Sequence, residues 1–99
     1  DMKKNLGKRL PLLAGIEFAQ SWSGMIDVTP DVVPVMDKIN SCPGLFVATG
    51  FSGHGFGIGP GAGRVMADLI LGNDPMHDLS RFRFSRFTDG SKMMPGPAI

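Results

Sequence analysis

The sequence predicts an α/β fold, in the form of an α+β fragment whose strands lead into a glycine loop and a helix. Three observations carry it. Leu45 to Thr49, LFVAT, is a short apolar run between Gly44 and Gly50, the form of a strand buried on both faces. Glycine then occupies every second position from Gly53 to Gly63 in GFSGHGFGIGPGAGR (50–64), a density that weakens any strand or helix interior. Val65, Met66, Leu69 and Ile70 follow at helical spacing, with Pro60 placed for the helix's first turn and Gly72-Asn73-Asp74-Pro75 to stop it.

The other elements follow from the same rules. Residues 1–13, DMKKNLGKRLPLL, read as helical up to Gly7, with Pro11 limiting any continuation. From Ala14 to Val28 the spacing of Ile16, Phe18, Trp22 and Ile26 reads as an extended strand, interrupted at Ser23-Gly24 by a bulge or turn. Pro30 and Pro34 bracket a loop in TPDVVP, Val35 to Ile39 reads as a second short strand, and Asn40-Ser41-Cys42-Pro43-Gly44 is a turn cluster. Residues 73–99 read as an irregular tail in which Phe82, Phe84 and Phe87 alternate with arginines without a helical period.

Composition bounds the function. Ninety-nine residues allow one small domain, and 14 glycines with 8 prolines are a heavy load for a core that must stabilise itself. The basic, Leu-bearing start reads as the last turns of a helix, so the chain reads as a fragment of something longer. Ten Lys and Arg against 9 Asp and Glu create no global field for nucleic acid or anionic lipid. The single Cys42 excludes an intramolecular disulfide and a multi-cysteine zinc site, which makes a reducing, cytoplasmic setting the expectation. No apolar run reaches the roughly 18 residues of a membrane span.

A strand, glycine loop and helix in succession put unpaired N–H groups and the positive end of a helix dipole at the carboxyl end of a strand, where α/β sheets bind ligands. Two nucleotide motifs fail on spacing. No start point from Gly50 onward gives G-x-G-x-x-G, and Arg64-Val65 stands where a P-loop requires Lys then Ser or Thr. An electron-rich ligand edge other than a phosphate cradle is the expected guest.

The stretch from Trp22 to Gly72, with WSGMIDVTPD, PGLFVATGFSGHGFGIGPGAGR and RVMADLILG, resembles the carboxyl-terminal part of the D-amino-acid oxidase superfamily of FAD-dependent oxidoreductases. The tail DLSRFRFSRF is similar to the end of bacterial members. The resemblance implies an FAD-binding domain whose dinucleotide fingerprint lies elsewhere, with residues 45–72 returning to hold the flavin ring. It implies flavin contacts from Gly50, Phe51, Ser52, Gly53, His54, Gly55, Phe56 and Gly57. It also implies oxidation of a small amine or amino acid of the D-amino-acid, glycine or sarcosine type, with the amino-terminal remainder of the enzyme as partner. The catalytic residues are not implied by this segment. Reduction of a flavin puts charge on its N1 and C2-carbonyl edge, and preorganised backbone donors stabilise that charge.

Two departures narrow the expectation. Gly24 matches the cysteine that bonds flavin in covalent sarcosine oxidases, so FAD is expected to be held non-covalently. Gly57 matches a lysine that binds the substrate carboxylate in those enzymes, so an acid's anchor is expected from another residue.

Individual residues keep two readings. His54 touches flavin or substrate, or is a structural hydrogen-bonding group. Arg64 reads as a surface or interdomain ion pair, and Asp27 and Asp31 read as turn and capping groups. Trp22 and the phenylalanines read as core or interface groups; the Arg/Phe tail reads as an anchor across a larger body rather than an RNA-stacking surface. The competing function is a small non-enzymatic module that binds a partner through apolar strands and the Arg/Phe tail. Folding alone, the chain would be expected to cover its exposed strands by self-association and to be inactive.

Overall fold

The computed structural model describes residues 1–97, and the last two residues of the predicted irregular tail lie outside that range. The architecture is α+β. Helix α1 (Met2–Arg9) is capped by the Asp1 carboxylate, which accepts from the Lys3 N–H at 3.0 Å. It runs two residues past Gly7 and ends where Pro11 forbids a further turn, with Pro11–Leu13 tightening into a 3₁₀ turn.

The predicted strand over Ala14 to Val28 is not formed. This segment takes irregular backbone and is almost wholly exposed, because a strand needs a neighbour for its ladder and nothing among the described residues pairs with it. Its start is held by the Ile16 N–H, which donates to the Leu13 carbonyl, and by an ion pair of Lys3 with Glu17; at its end the Ser52 N–H donates to the Asp27 carbonyl at 3.1 Å.

Strands β1 (Val35–Lys38) and β2 (Phe46–Thr49) form an antiparallel pair in the register Val35 with Thr49 through Lys38 with Phe46. The predicted turn joins them, and the Ile39 N–H donates to the Leu45 carbonyl at its mouth. The expectation that LFVAT is buried on both faces is overturned. Phe46 and Val47 are half-buried while Ala48 and Thr49 are exposed, since β1 covers one edge and one helix covers one face.

That helix, α2 (Gly55–Leu71), begins five residues earlier than Pro60 implied. Pro60 has no N–H to give the Phe56 carbonyl, yet both residues face solvent, so water can take the missing place. Gly57, Gly59, Gly61 and Gly63 thus lie within a helix rather than a loop. The helix ends in a Schellman turn: Gly72 adopts φ 72° and the Asn73 N–H donates to the Asp68 carbonyl at 2.8 Å.

Helix α2 packs on β1, and Ala62 and Val65 of the helix are buried together with Pro34, Val35 and Met36. The tail contains two 3₁₀ turns, Ser80–Phe82 and Phe84–Phe87, both packed against β1. It is therefore less irregular than its pattern implied. No described helix is long and apolar enough to cross a membrane.

Candidate functional site

The site is the junction between β2 and α2. Gly50, at φ 68°, closes β2, and a Cβ there would overlap the Thr29 methyl group, so only glycine fits. Its N–H donates to the Asp27 carboxylate at 3.1 Å, which also accepts from the Thr49 hydroxyl at 3.0 Å. Ser52 follows at φ 53° with 1 % of its surface exposed. A non-glycine residue in this conformation is costly and needs fixing by its surroundings. Here the Ser52 hydroxyl donates to the Gly50 carbonyl at 3.1 Å and accepts from the Thr29 N–H at 3.3 Å.

The eight predicted contact residues divide into a turn, a single linking residue and the first turn of a helix. Gly50, Phe51, Ser52 and Gly53 form the tight turn, with Phe51 half-buried and Gly53 exposed at φ 80°. His54 is the exposed residue preceding the helix, and its side chain makes no capping bond and has no hydrogen-bond partner among the described residues. The structural reading of His54 therefore has no bond to rest on. Gly55, Phe56 and Gly57 form the first turn of α2, and Phe56 is fully exposed.

The turn leaves donors free. Among the described residues the N–H groups of Gly53, Gly55 and Phe56 have no acceptor, and α2 has no acidic residue in its first turn. The positive end of the helix is thus presented bare, at a concavity of about 420 Å³ lined by Ile26, Thr49, Gly50, Gly53 and Phe56 among others. Free backbone donors, an exposed glycine surface and apolar walls suit a flat ligand with an electron-rich edge, and Gly53, Gly55 and Phe56 are the groups that could hold it.

Behind the turn lies a buried ion pair that sequence reasoning missed. Arg86, from the second 3₁₀ turn of the tail, is 7 % exposed and grips Asp31 with two bonds, Nε to Oδ2 at 2.8 Å and Nη2 to Oδ1 at 3.1 Å. Nη2 also donates to the Val33 carbonyl at 2.6 Å, Nη1 donates to the Arg83 carbonyl at 3.0 Å, and the guanidinium carbon stands 4.3 Å from the Phe87 ring centre. The Arg86 guanidinium beside Asp31 holds its carboxyl below the usual carboxylate range, against the opposing effect of burial. Asp31 is more than a turn residue, and the tail is anchored by an arginine as well as by phenylalanines: Phe84 is half exposed. The pair joins positions 55 residues apart, so no local pattern announces it. Its only trace in the sequence is an arginine set between aromatics.

Other expectations fall out plainly. Arg64 makes a surface ion pair with Asp68 one turn later, as expected. Trp22 and Met25 are exposed and so are not core groups of the described residues. Cys42 is free, exposed and in the turn that opens β2, at the opposite end of that strand from Gly50. No group of three or more metal-ligating side chains occurs among the described residues.

The strand, glycine turn and bare helix start form one open corner of the α+β structure. The family model described as FAD dependent oxidoreductase matches residues 1–69, and the chain belongs to that family. Among individual relatives it is similar to a probable oxidoreductase, OrdL, of Haemophilus influenzae, with 37 % identity over 74 % of this chain and 16 % of the relative. It is similar to N-methyl-L-tryptophan oxidase of Salmonella typhimurium, with 42 % identity over 63 % of this chain and 17 % of the relative. The peroxisomal sarcosine oxidase of Homo sapiens is 37 % identical over 66 % of this chain and 17 % of the relative. The chain thus spans about one sixth of the length of the curated relatives it matches. No solved structure matches it.

Proposed function

We propose that residues 1–99 are the carboxyl-terminal segment of a flavoenzyme that oxidises a small amine or amino acid with non-covalently bound FAD. Residues 45–72 form its flavin-contacting unit and 73–99 its tail. FAD, when bound, supplies the hydride acceptor at its N5 position for a substrate C–H bond beside nitrogen.

The observation that carries this reading is the set of unpaired N–H groups at Gly53, Gly55 and Phe56 on a helix start in a chain of the FAD dependent oxidoreductase family. Their role is to donate to the electron-rich edge of the ring and to hold the charge that builds there, with no reorganisation at the moment of reaction. Gly50 and Ser52 keep the turn in its left-handed conformation, and Phe56 and Ile26 exclude water from the ring's surface. Non-covalent attachment is supported by Gly24 standing at the position where covalent sarcosine oxidases carry the flavin-bonding cysteine, and by the place of Cys42 at the far end of β2.

The substrate is an amine or amino acid of the D-amino-acid, glycine or sarcosine type, and the names of two relatives favour a secondary amine beside a carboxylate. With Gly57 in place of a cationic side chain, the carboxylate anchor belongs to the remainder of the enzyme, which is the segment's principal partner. The segment alone is inactive.

The test is to purify the full-length protein, record its visible spectrum, and assay sarcosine, N-methyl-L-tryptophan, glycine and a D-amino-acid panel with oxygen or a quinone as acceptor. A flavin spectrum and amine-dependent bleaching are expected; a colourless protein that takes up no FAD would sink the proposal. The module reading keeps one observation, the exposed Trp22, Met25 and Phe56. It gains only from a coding sequence that lacks an upstream strand, G-x-G-x-x-G and helix.

A further inference from the structure

The buried arginine of the tail and the glycine turn share hydrogen-bonding atoms. Two side chains converge on one oxygen: the Val33 carbonyl accepts Arg86 Nη2 at 2.6 Å and the Thr29 hydroxyl at 2.9 Å. Thr29 in turn donates its N–H to the Ser52 hydroxyl at 3.3 Å, and the two hydroxyl oxygens lie 3.5 Å apart. The Thr29 methyl group fills the space beside Gly50 that a Cβ would need. The contacts run without a break from Arg86 through Val33 and Thr29 to Gly50 and Ser52.

We propose that Arg86 is a positioning residue for the glycine turn: from the tail, it fixes the Val33 carbonyl, which orients Thr29 against Ser52 and Gly50. The physical need is plain. Ser52 is a non-glycine residue held at φ 53°, a conformation that persists only where its surroundings over-determine it. Its hydroxyl is fully buried and serves two partners, so a small rotation of Thr29 costs a buried bond as well as backbone strain. A guanidinium suits the task because its planar fork reaches both Asp31 oxygens and still has donors for the Val33 and Arg83 carbonyls. A lysine in the same place keeps the charge and loses the fork. The consequence for a flavin at this corner rests on the proposed function; the coupling between tail and turn does not.

The test uses the full-length protein with the variants Arg86→Lys and Thr29→Val, alone and together, read by amide hydrogen exchange. The Gly50 and Ser52 amides report the turn, since both donate to Asp27, and the Val47 amide, in the hydrogen-bonded pair with Asp37, reports the sheet. Each single variant is expected to speed exchange at Gly50 and Ser52 about tenfold while Val47 is unchanged, as in a local opening. The double variant is expected to do no more than either single one, because both cut the same path. Independent, additive effects, or turn amides that exchange only in step with Val47, would overturn the proposal by making Arg86 a general stabiliser. If Arg86→Lys does not fold, the pair Asp31→Asn with Arg86→Met takes its place, since it leaves no buried charge unpaired. In protein that binds FAD, Arg86→Lys is also expected to shift the flavin's visible bands. A protein that takes up no FAD sinks the proposed function and leaves the amide test standing.

Discussion

At the residue scale the Asp31–Arg86 pair gives the clearest pH dependence. Arg86 lowers the folded-state pKa of Asp31 below its unfolded value. A carboxylate of this kind contributes stability that is fully present above the unfolded pKa and is lost as pH falls through the folded one. The contribution is thus constant at neutral pH and disappears only in acid, below about pH 4. Acid titration of unfolding in full-length protein should show this loss, and Asp31→Asn should remove that part of the acid limb. Asp89, held to about 2 by Ser91 and Arg83, titrates on the same side.

Val32 is the second residue with a sharp expectation. It sits at φ 58°, where a β-branched side chain is strained, and its side chain fills the place that a Cβ on Gly96 would occupy. Val32→Gly should therefore stabilise the full-length protein by about 1 kcal/mol, offset in part by added freedom of the unfolded chain. Gly96→Ala should destabilise it, and Val32→Gly should restore most of the loss. Denaturant midpoints at constant slope measure all three.

At the scale of elements, α2 carries the unexpected feature. The helix accepts Gly57, Gly59, Gly61 and Gly63, each costing about 1 kcal/mol against alanine, although a Cβ at any of them would meet nothing within 4 Å. Nothing in the described residues therefore demands glycine there. At 100° per residue, Gly57 with Gly61 and Gly59 with Gly63 flank the buried Ala62–Val65 stripe on either side. If those flanks meet the rest of the enzyme, Gly59→Ala and Gly63→Ala should act with opposite signs in two settings. Circular dichroism of the isolated segment should show a gain in helix, while thermal unfolding of the full-length protein should show a loss of stability. Gains in both would remove the close approach. The same element shows why its start was misjudged in sequence: a proline inside a helix is a strong break signal, and only the solvent-facing place of Phe56 and Pro60 makes it tolerable.

At the scale of the whole molecule the chain is extended. Its radius of gyration is 18.5 Å and its axes measure 55 × 29 × 23 Å, against about 13 Å for a compact chain of this length. It exposes 7915 Å², where roughly 5,500 Å² is usual for a folded monomer of its mass. The excess is the scale of a large permanent interface. So few buried apolar residues do not outweigh the entropy of ordering such a chain. The isolated segment is accordingly expected to lack a cooperative thermal transition and to bind no stoichiometric FAD. A purified segment with a flavin spectrum would refute this; calorimetry and absorbance are sufficient measurements.

Sequence by itself determined what is local. Pro11 limited α1, Asn40 to Gly44 set the turn between β1 and β2, Gly72 set the end of α2, and the GFSGHGF core pointed to the family. Each depends on the backbone preferences of a few adjacent residues or on a contiguous motif, so each is legible in one dimension. Tertiary structure decided the rest: that Ala14 to Val28 finds no partner strand, that α2 reaches back through Pro60 to Gly55, and that Ser52 is buried in a left-handed turn. It also decided that Arg86 seeks out Asp31 across 55 residues. Pairing, solvation and ion pairing depend on what lies next to a group in space, and no spacing along the chain encodes that neighbour.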